Sequence, residues 1–250
     1  MHVSPLIGNN IIKLDAVDST NTYAHTLLKN QNVPEGTIIQ AFHQTSGRGQ
    51  MGTNWHSLPG ESLTFSVILT PTFLRINQQF YLNMAVSLGV YEYLKIKGIS
   101  GGLIKWPNDI IVNRKKLAGI LIENSIKGDM LQHAIIGIGL NVNTDPKDLP
   151  PFATSLFTET GRFLNMDAEI SELATMLDKY YTLLRLLKFD RLKNLYMEHL
   201  LGFNAPMVIR KNGEEMEVRV VNIDETGRIE LENTNSGRFT AGFKEFEWVY

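Results

Sequence analysis

The chain has 250 residues, 43% of them apolar and 20% charged, which is the composition of an ordinary globular protein. It contains no cysteine, which excludes disulfide-stapled scaffolds, thiolate nucleophiles and cysteine-ligated zinc sites. The net charge of −2 provides no overall positive field for phosphate backbones, so nucleic-acid binding would need a local basic patch.

The first residues do not have the pattern of a targeting signal. Residues 1–10 lack the basic start, apolar run and small-residue cleavage site of a secretion signal. Further along, no apolar run approaches the about 18 residues that a membrane-spanning helix needs. We therefore expect a cytoplasmic protein that does not enter a membrane.

The first half of the chain predicts helices packed on strands. Residues 18–20 carry short polar side chains that cap helix starts, which predicts a short helix ending near Asn30. Residues 36–43 and 63–69 have the β-rich or alternating composition of strands, with a glycine-rich loop between them. Apolar residues recur at helical spacing over residues 77–97, which predicts a helix that packs on the sheet.

The middle of the chain predicts a meander of β-hairpins followed by two helices. Turn-forming residues separate the apolar runs at 103–106, 110–112, 117–123 and 133–142, so we expect these four runs to be strands. Helical spacing of apolar residues predicts the two helices at residues 167–187 and 190–200.

The last part of the chain predicts a small β domain. Short strands separated by turns are expected at residues 206–210, 215–223, 228–231 and 245–249, including a turn at Ser236 and Gly237. So many strands in so short a segment suit an SH3-like barrel. Runs of strands followed by helices favour an α+β fold, a mixed and mainly antiparallel sheet flanked by helices. We expect one domain at residues 1–202 and the barrel at 203–250.

The glycine-rich loop matches the residue pattern of a nucleotide-binding loop but lacks the helix that should follow it. Residues 47–52, GRGQMG, fit G-x-G-x-x-G, but a strand follows them, and no helix N-terminus faces a pyrophosphate. We interpret the segment as a mobile loop whose backbone N–H groups surround an anion, with Arg48 adding charged donors. A plain glycine turn with an exposed arginine is the alternative.

Charged and small residues mark the strands of the meander. If residues 105–109 (KWPND) and 115–123 (KKLAGILIE) pair, Lys105 and Lys116 converge on one face, although a lone lysine is more often a surface residue. Small residues in the strand at 137–143 (GIGLNVN) permit close approach of a flat ligand. Asn141 and Asn143 alternate onto one face there and suit either ligand binding or a capped strand end.

Together these motifs resemble the biotin protein ligases, in the form that lacks an N-terminal DNA-binding domain. The resemblance rests on DSTN at 18–21, QTSGRG at 44–49 with Trp55, KWPND at 105–109, KLAGIL at 116–121 with Glu123, and GIGLN at 137–141. It extends over essentially the whole chain, because the segment after residue 203 is similar to the small C-terminal barrel of that family. The first motif begins too early to leave room for a winged helix, so we expect no DNA binding.

The resemblance implies an ATP-dependent ligase that activates biotin as biotinyl-5′-AMP. The biotinyl group then passes to a lysine of the biotin carboxyl carrier domain of a biotin-dependent carboxylase. ATP and biotin are the expected substrates, Mg²⁺ is expected on the ATP phosphates, and the chain is expected to be a monomer or a homodimer. Both reactants of the first step are anions, which repel by about 4 kcal/mol at about 4 Å and an effective dielectric near 20, so the site must supply cations.

The resemblance also assigns residues. The expected catalytic residues are Arg48, Lys105, Asp109 and Lys116. Biotin binding is expected from Ser19, Thr20, Asn21, Gln44, Gly47, Arg48, Gly49, Gln50, Lys116 and Gly119. Nucleotide binding is expected from Arg48, Trp55, Lys105, Trp106, Asn108, Lys116 and Asn141, and no side chain is assigned to a metal.

Several of these residues have a second interpretation. Ser19 suits a helix N-cap as well as a ureido ring. Trp55 and Trp106 suit a protein core as well as a nucleotide wall. Asp109 suits either a support for a neighbouring lysine or a base for the carrier lysine.

The loop charge differs from that of many biotin protein ligases, and two other functions remain as alternatives. Gln50 and Thr53 stand where many of these ligases have arginine, so we expect this loop to retain the adenylate less tightly. A lipoate ligase is the closest alternative function, because it also forms an acyl adenylate. A non-catalytic biotin sensor is the second, and an RNA-binding role is disfavoured because acidic residues offset the basic residues of the barrel.

Overall fold

A seven-stranded sheet forms the centre of the larger part of the chain. The structure is a computed structural model that describes residues 5–233 and 237–249. The strands are β1 (Ile11–Val17), β2 (Ile38–Gln44), β3 (Ser62–Leu69), β4 (Gly102–Lys105), β5 (Asp109–Val112), β6 (Lys115–Lys127) and β7 (Met130–Asn141). Their order across the sheet is β1-β2-β3-β7-β6-β5-β4. Only the pairing of β1 with β2 is parallel, and the others are antiparallel.

Helices cover both faces of this sheet. They are α1 (Thr20–Asn30), α2 (Phe80–Ile96), α3 (Leu156–Thr160), α4 (Met166–Arg185) and α5 (Phe189–Glu198). The larger core lies on the α2 and α4 side and includes Phe65 of β3 and Leu88 of α2. Ile68 of β3 faces Ala24 of α1 in a smaller core on the other side. Because both faces are covered, every residue of β3 is buried.

Glycines leave part of the α1 face of the sheet without side chains. Gly137 and Gly139 of β7 lie opposite Leu121 and Gly119 of β6. A Cβ atom at Gly137 would lie 2.5 Å from Asn21 Oδ1, and one at Gly139 would lie 2.3 Å from the Trp55 indole. These glycines therefore let the start of α1 and the end of the glycine loop rest directly on the sheet.

The C-terminal part of the chain forms a second, five-stranded antiparallel sheet, consistent with an SH3-like domain. Its strands are β8 (Met207–Lys211), β9 (Glu214–Ile223), β10 (Ile229–Asn233), β11 (Gly237–Ala241) and β12 (Glu247–Val249), in the order β11-β10-β9-β8-β12. Trp106 joins the two sheets. Its indole N–H donates to the Gly227 carbonyl at 3.0 Å, and its ring stacks on Phe246 with an interplanar angle of 5°.

The α+β prediction is confirmed, and each predicted helix and strand has a counterpart within a few residues of its expected bounds. The predicted helix at 77–97 begins at Phe80, because a short 3-10 turn occupies Ile76–Gln78. Strands β1 and β11 and helix α3 were not predicted. Ser236 lies outside the described residues, and the domain boundary at 203 stays a prediction. None of the helices that the structure describes is long and apolar enough to cross a membrane.

Candidate active site

A cavity of about 500 Å³ opens between the glycine loop, the start of α1 and the C-terminal sheet. It gathers most of the predicted site residues: Ser19, Thr20, Asn21, Gln44, Arg48, Gly49, Gln50, Trp55, Lys105, Trp106, Asn108, Asp109, Lys116 and Gly119. Gly47 lies directly beside this lining, since a Cβ atom there would be 3.1 Å from Gln44 Nε2. Of the predicted site residues, only Asn141 lies away from the cavity.

Uncharged polar groups form one end of the cavity. The backbone N–H and the hydroxyl of Thr20 both donate to Gln44 Oε1, at 2.8 and 3.1 Å. The Ser66 hydroxyl lies 2.7 Å from the Thr20 hydroxyl and 2.6 Å from Asn21 Oδ1. Ser19 is at the N-cap position of α1, yet its side chain makes no capping hydrogen bond. This buried cluster offers donors and acceptors to a small polar ring.

Charged groups form another part of the lining. Lys116 Nζ lies 2.7 Å from Asp109 Oδ1 and 5.6 Å from the centre of a Trp55 ring. Asp109 on β5 is paired in register with Lys105 on β4. The two lysines were expected on adjacent strands, but β5 lies between their strands, and they reach the cavity from either side of Asp109. Asp109 therefore forms an ion pair with Lys116, which is one of the two roles predicted for Asp109.

The glycine loop closes against the cavity as a tight turn. Gly49 N–H donates to the Thr53 carbonyl at 2.7 Å, and the Thr53 hydroxyl donates to the Gln50 carbonyl at 2.8 Å. Arg48 leaves the loop toward Glu123 of β6, with 2.8 Å between Nη2 and Oε1. The other Glu123 oxygen accepts a hydrogen bond of 2.7 Å from Asn21 Nδ2. The loop arginine and the start of α1 thus share one carboxylate.

The segment from the β11–β12 connection into β12 contributes residues that were not predicted for the site. They are Phe243, Lys244, Phe246, Glu247 and Trp248. Lys244 Nζ also lies 3.2 Å from the Met51 carbonyl in the glycine loop. Only the concentration of aromatic residues near the C-terminus could have suggested such a role.

Two strand residues that support the site were also missed or left without a role. Ser66 is one of three hydroxyl residues, with Ser62 and Thr64, that alternate with apolar residues in a strand buried on both faces. That contrast is a usable signal, because buried polar groups need partners. Glu123 was part of a motif, but its partners come from α1 and the loop, which spacing along the chain does not reveal.

The side chains of three asparagines and one tryptophan form hydrogen bonds to the backbone of other segments. Asn141 is buried, and its side-chain amide donates to the Thr154 carbonyl at 3.0 Å, so the structure does not bring it to the cavity with the other residues predicted to bind the nucleotide. Asn143 binds both polar backbone atoms of Leu164 through its side chain. Asn108 lines the cavity, but its Nδ2 donates a hydrogen bond of 2.7 Å to the Ile120 carbonyl. Trp106 is a fixed wall, because its N–H donates to Gly227 and its ring stacks on Phe246, both in connections between the C-terminal strands.

The sequence is similar to a known protein family and to individual ligases. Residues 14–141 match the family model described as the biotin/lipoate A/B protein ligase family. The chain is 36% identical over 237 residues to the bifunctional ligase/repressor BirA of Bacillus subtilis, which covers 93% of this chain and 72% of that protein. It is 27% identical to the biotin–[acetyl-CoA-carboxylase] ligase of Paracoccus denitrificans, with coverage of 87% and 92%.

A solved structure shows the same similarity in three dimensions. It is the biotin protein ligase from Aquifex aeolicus in complex with biotin and ATP, which superposes with a TM-score of 0.78. The two chains are 28% identical, and the match covers 96% of this chain and 99% of that chain.

Proposed function

The chain belongs to the biotin/lipoate A/B protein ligase family, and on that premise we propose the two steps by which it ligates biotin. In the first step, the biotin carboxylate attacks the α-phosphate of ATP, and pyrophosphate leaves. In the second step, a lysine of the biotin carboxyl carrier domain of a biotin-dependent carboxylase attacks the resulting acyl adenylate, and AMP leaves. Biotin and ATP are therefore the small-molecule substrates, in agreement with the solved ligase complex.

The observation that carries the proposal is the division of one cavity into an uncharged polar end and a cationic part. A ureido ring has two N–H donors and one carbonyl acceptor, which match the amide and hydroxyl groups of Thr20, Asn21 and Gln44. The dithiolane ring of lipoate offers these groups neither an N–H donor nor a carbonyl acceptor. The polar end therefore favours biotin over lipoate.

The cations oppose the repulsion between the two anionic reactants. Lys116 and Arg48 line the same cavity, and each has a carboxylate partner that fixes its position. An ammonium group has three N–H donors and a guanidinium has five, so both retain donors for the carboxylate and phosphate oxygens. Their charges then stabilise the transition state as negative charge builds up on the phosphate.

We treat Mg²⁺ as part of the ATP substrate. No cluster of three or more metal-ligating side chains occurs in residues 5–233 and 237–249. Mg²⁺ commonly keeps several waters and binds through nucleotide phosphates with few carboxylates. The carboxylates in the cavity lining are Asp109 and Glu247, and Asp109 is already paired with Lys116.

The second step requires a neutral amine on the carrier lysine, whose pKa is about 10.4 when unperturbed. Asp109 is our candidate to accept its proton, because it is a carboxylate in the cavity lining. Asp109→Asn should then slow transfer from preformed adenylate and change its pH profile. Full transfer speed at every pH would leave Asp109 with only its support of Lys116.

Pyrophosphate exchange tests the first step. Labelled pyrophosphate should enter ATP in the presence of biotin and Mg²⁺, and neither lipoate nor octanoate should replace biotin. Exchange with lipoate alone would favour a lipoate ligase. Biotin binding without exchange would favour a sensor.

Labelled biotin tests the second step. With ATP and a carrier domain present, the label should become covalently attached to the carrier. Replacement of the carrier's acceptor lysine by arginine should abolish this attachment. Attachment that persists in that variant would contradict transfer to a specific lysine.

A further inference from the structure

Glu123 lies beside the cavity and connects two elements that form its walls. On β6, residues 119, 121 and 123 point to the α1 face, and Glu123 is paired in register with Ile135 of β7. Ile135 packs against Ala24 of α1, so Glu123 is next to that helix. Its side chain is 23% exposed, which places the carboxylate at the rim of the buried region.

The two oxygens of Glu123 have different partners. Oε1 accepts from Arg48 Nη2 of the glycine loop at 2.8 Å, and Oε2 accepts from Asn21 Nδ2 at the start of α1 at 2.7 Å. His25 Nε2 lies 3.5 Å from Oε2, at the outer side of the carboxylate. Glu123 therefore ties the loop to the helix through a single side chain.

Glu123 belongs to a row of polar side chains that continues from the polar end of the cavity. The row consists of Gln44, Thr20, Ser66, Asn21, Glu123 and Arg48, with polar atoms of neighbouring members 2.6–3.1 Å apart. A carboxylate only accepts hydrogen bonds, so Asn21 must turn Nδ2 toward Glu123 and Oδ1 toward Ser66. Loss of the negative charge would remove both this orientation and the ion pair with Arg48.

We propose that Glu123 is a positioning residue, which orients the Asn21 amide for the biotin ring and holds Arg48 while the glycine loop is closed. The inference rests on the proposed function, because it assigns Glu123 to the retention of biotin and of the biotinyl adenylate. The Arg48 side chain is 47% exposed, and such exposed ion pairs contribute little to stability. Removing the charge should therefore change ligand retention much more than it changes unfolding.

The first test compares Glu123→Gln with the control Glu92→Gln. Glu92 is 24% exposed and pairs with Lys179 at 2.9 Å, so it matches Glu123 in burial and pairing, but Lys179 does not line the cavity as the Glu123 partners Asn21 and Arg48 do. In Glu123→Gln, we expect the KM for biotin in pyrophosphate exchange and the escape rate of labelled adenylate each to rise about fivefold. The KM for ATP and the unfolding temperature should stay near those of the parent chain. Glu92→Gln should leave biotin KM and escape unchanged.

The second test asks whether Glu123 acts through Arg48. If it does, Glu123→Gln should add no further increase in adenylate escape to a chain that already carries Arg48→Gln. Fully additive effects would overturn the proposed link. Glu123→Asp restores the charge on a shorter side chain and should recover part of the retention.

Failure of this inference is distinguishable from failure of the proposed function. A parent chain that makes no adenylate from biotin and ATP would refute the proposed function itself. A parent chain that makes adenylate, with Glu123→Gln retaining biotin and adenylate equally well, would refute only the positioning role.

Discussion

Replacing Gly139 by alanine would place a methyl group against the indole of Trp55. The added Cβ atom would lie 2.3 Å from the ring, whereas carbon atoms in ordinary contact are about 3.5 Å apart. The ring must therefore move by about 1 Å, because the strand below it is fixed by pairing with β3 and β6. Trp55 also packs beside Lys116, so the displacement reaches the cationic part of the cavity.

The expected effect is larger on activity than on stability. Overpacking typically costs about 1–3 kcal/mol, and Trp55 is only partly buried, so we expect the low end of that range. At this chain length, 1 kcal/mol corresponds to a fall in Tm of about 2–4 °C. A displacement of about 1 Å near reacting groups can cost about 100-fold in rate, so kcat/KM for biotin should fall by about 10- to 100-fold.

The assays are thermal unfolding and biotin-dependent pyrophosphate exchange. Gly102→Ala is the matched control, because a Cβ atom at that partly buried strand position would have no neighbour closer than 3.7 Å. It should leave both measurements unchanged. Gly139→Ala with the exchange rate and Tm of the parent chain would refute the packing of Trp55 on the sheet as the cavity wall.

Three further predictions concern charge. Lys116→Met should lower biotin-dependent exchange by about 100-fold or more, since it removes a cation that opposes the repulsion between anions, and a loss below tenfold would contradict that role. Gln50→Arg should slow adenylate escape about threefold in a chase experiment, because it adds a positive charge to the cavity lining, and unchanged or faster escape would contradict this. Burial lowers the pKa of His199 below its ordinary value of 6.5, so the unfolded chain binds more protons and stability falls as the pH drops below about 6.5. Between about pH 7.5 and 5.5, the Tm of His199→Gln should therefore fall less than the Tm of the parent chain. An equal fall in Tm for both chains would contradict this.

Much of the fold was predictable because local patterns agree with tertiary packing. Strand β3 and helices α2 and α4 have apolar residues at the spacing that their buried faces require. Strand β1, at the edge of the sheet, was missed although its residues alternate, with Ile12 and Leu14 partly buried and Lys13 and Asp15 exposed. Its parallel pairing with β2 is a tertiary feature that residue spacing does not encode.

The site was predictable where residue type limits chemistry, and less so where packing assigns partners. Arg48 and Lys116 were expected to meet, and they line one cavity. Asn141 lies away from the cavity, and residue spacing could not show this, because whether its amide faces a ligand or the Thr154 carbonyl depends on the loop that folds over it. Glu123 received no role, because its partners are brought from distant parts of the chain by the fold.

A crystal structure of the chain with bound biotinyl-5′-AMP would test the central claim most directly, through the distances from the two cations to the acyl-phosphate junction. We expect Lys116 Nζ and a guanidinium nitrogen of Arg48 to lie within about 3.5 Å of its oxygens, with the ureido ring against Gln44 and its neighbours. A reversed ligand, or either cation turned away from the junction, would contradict the account.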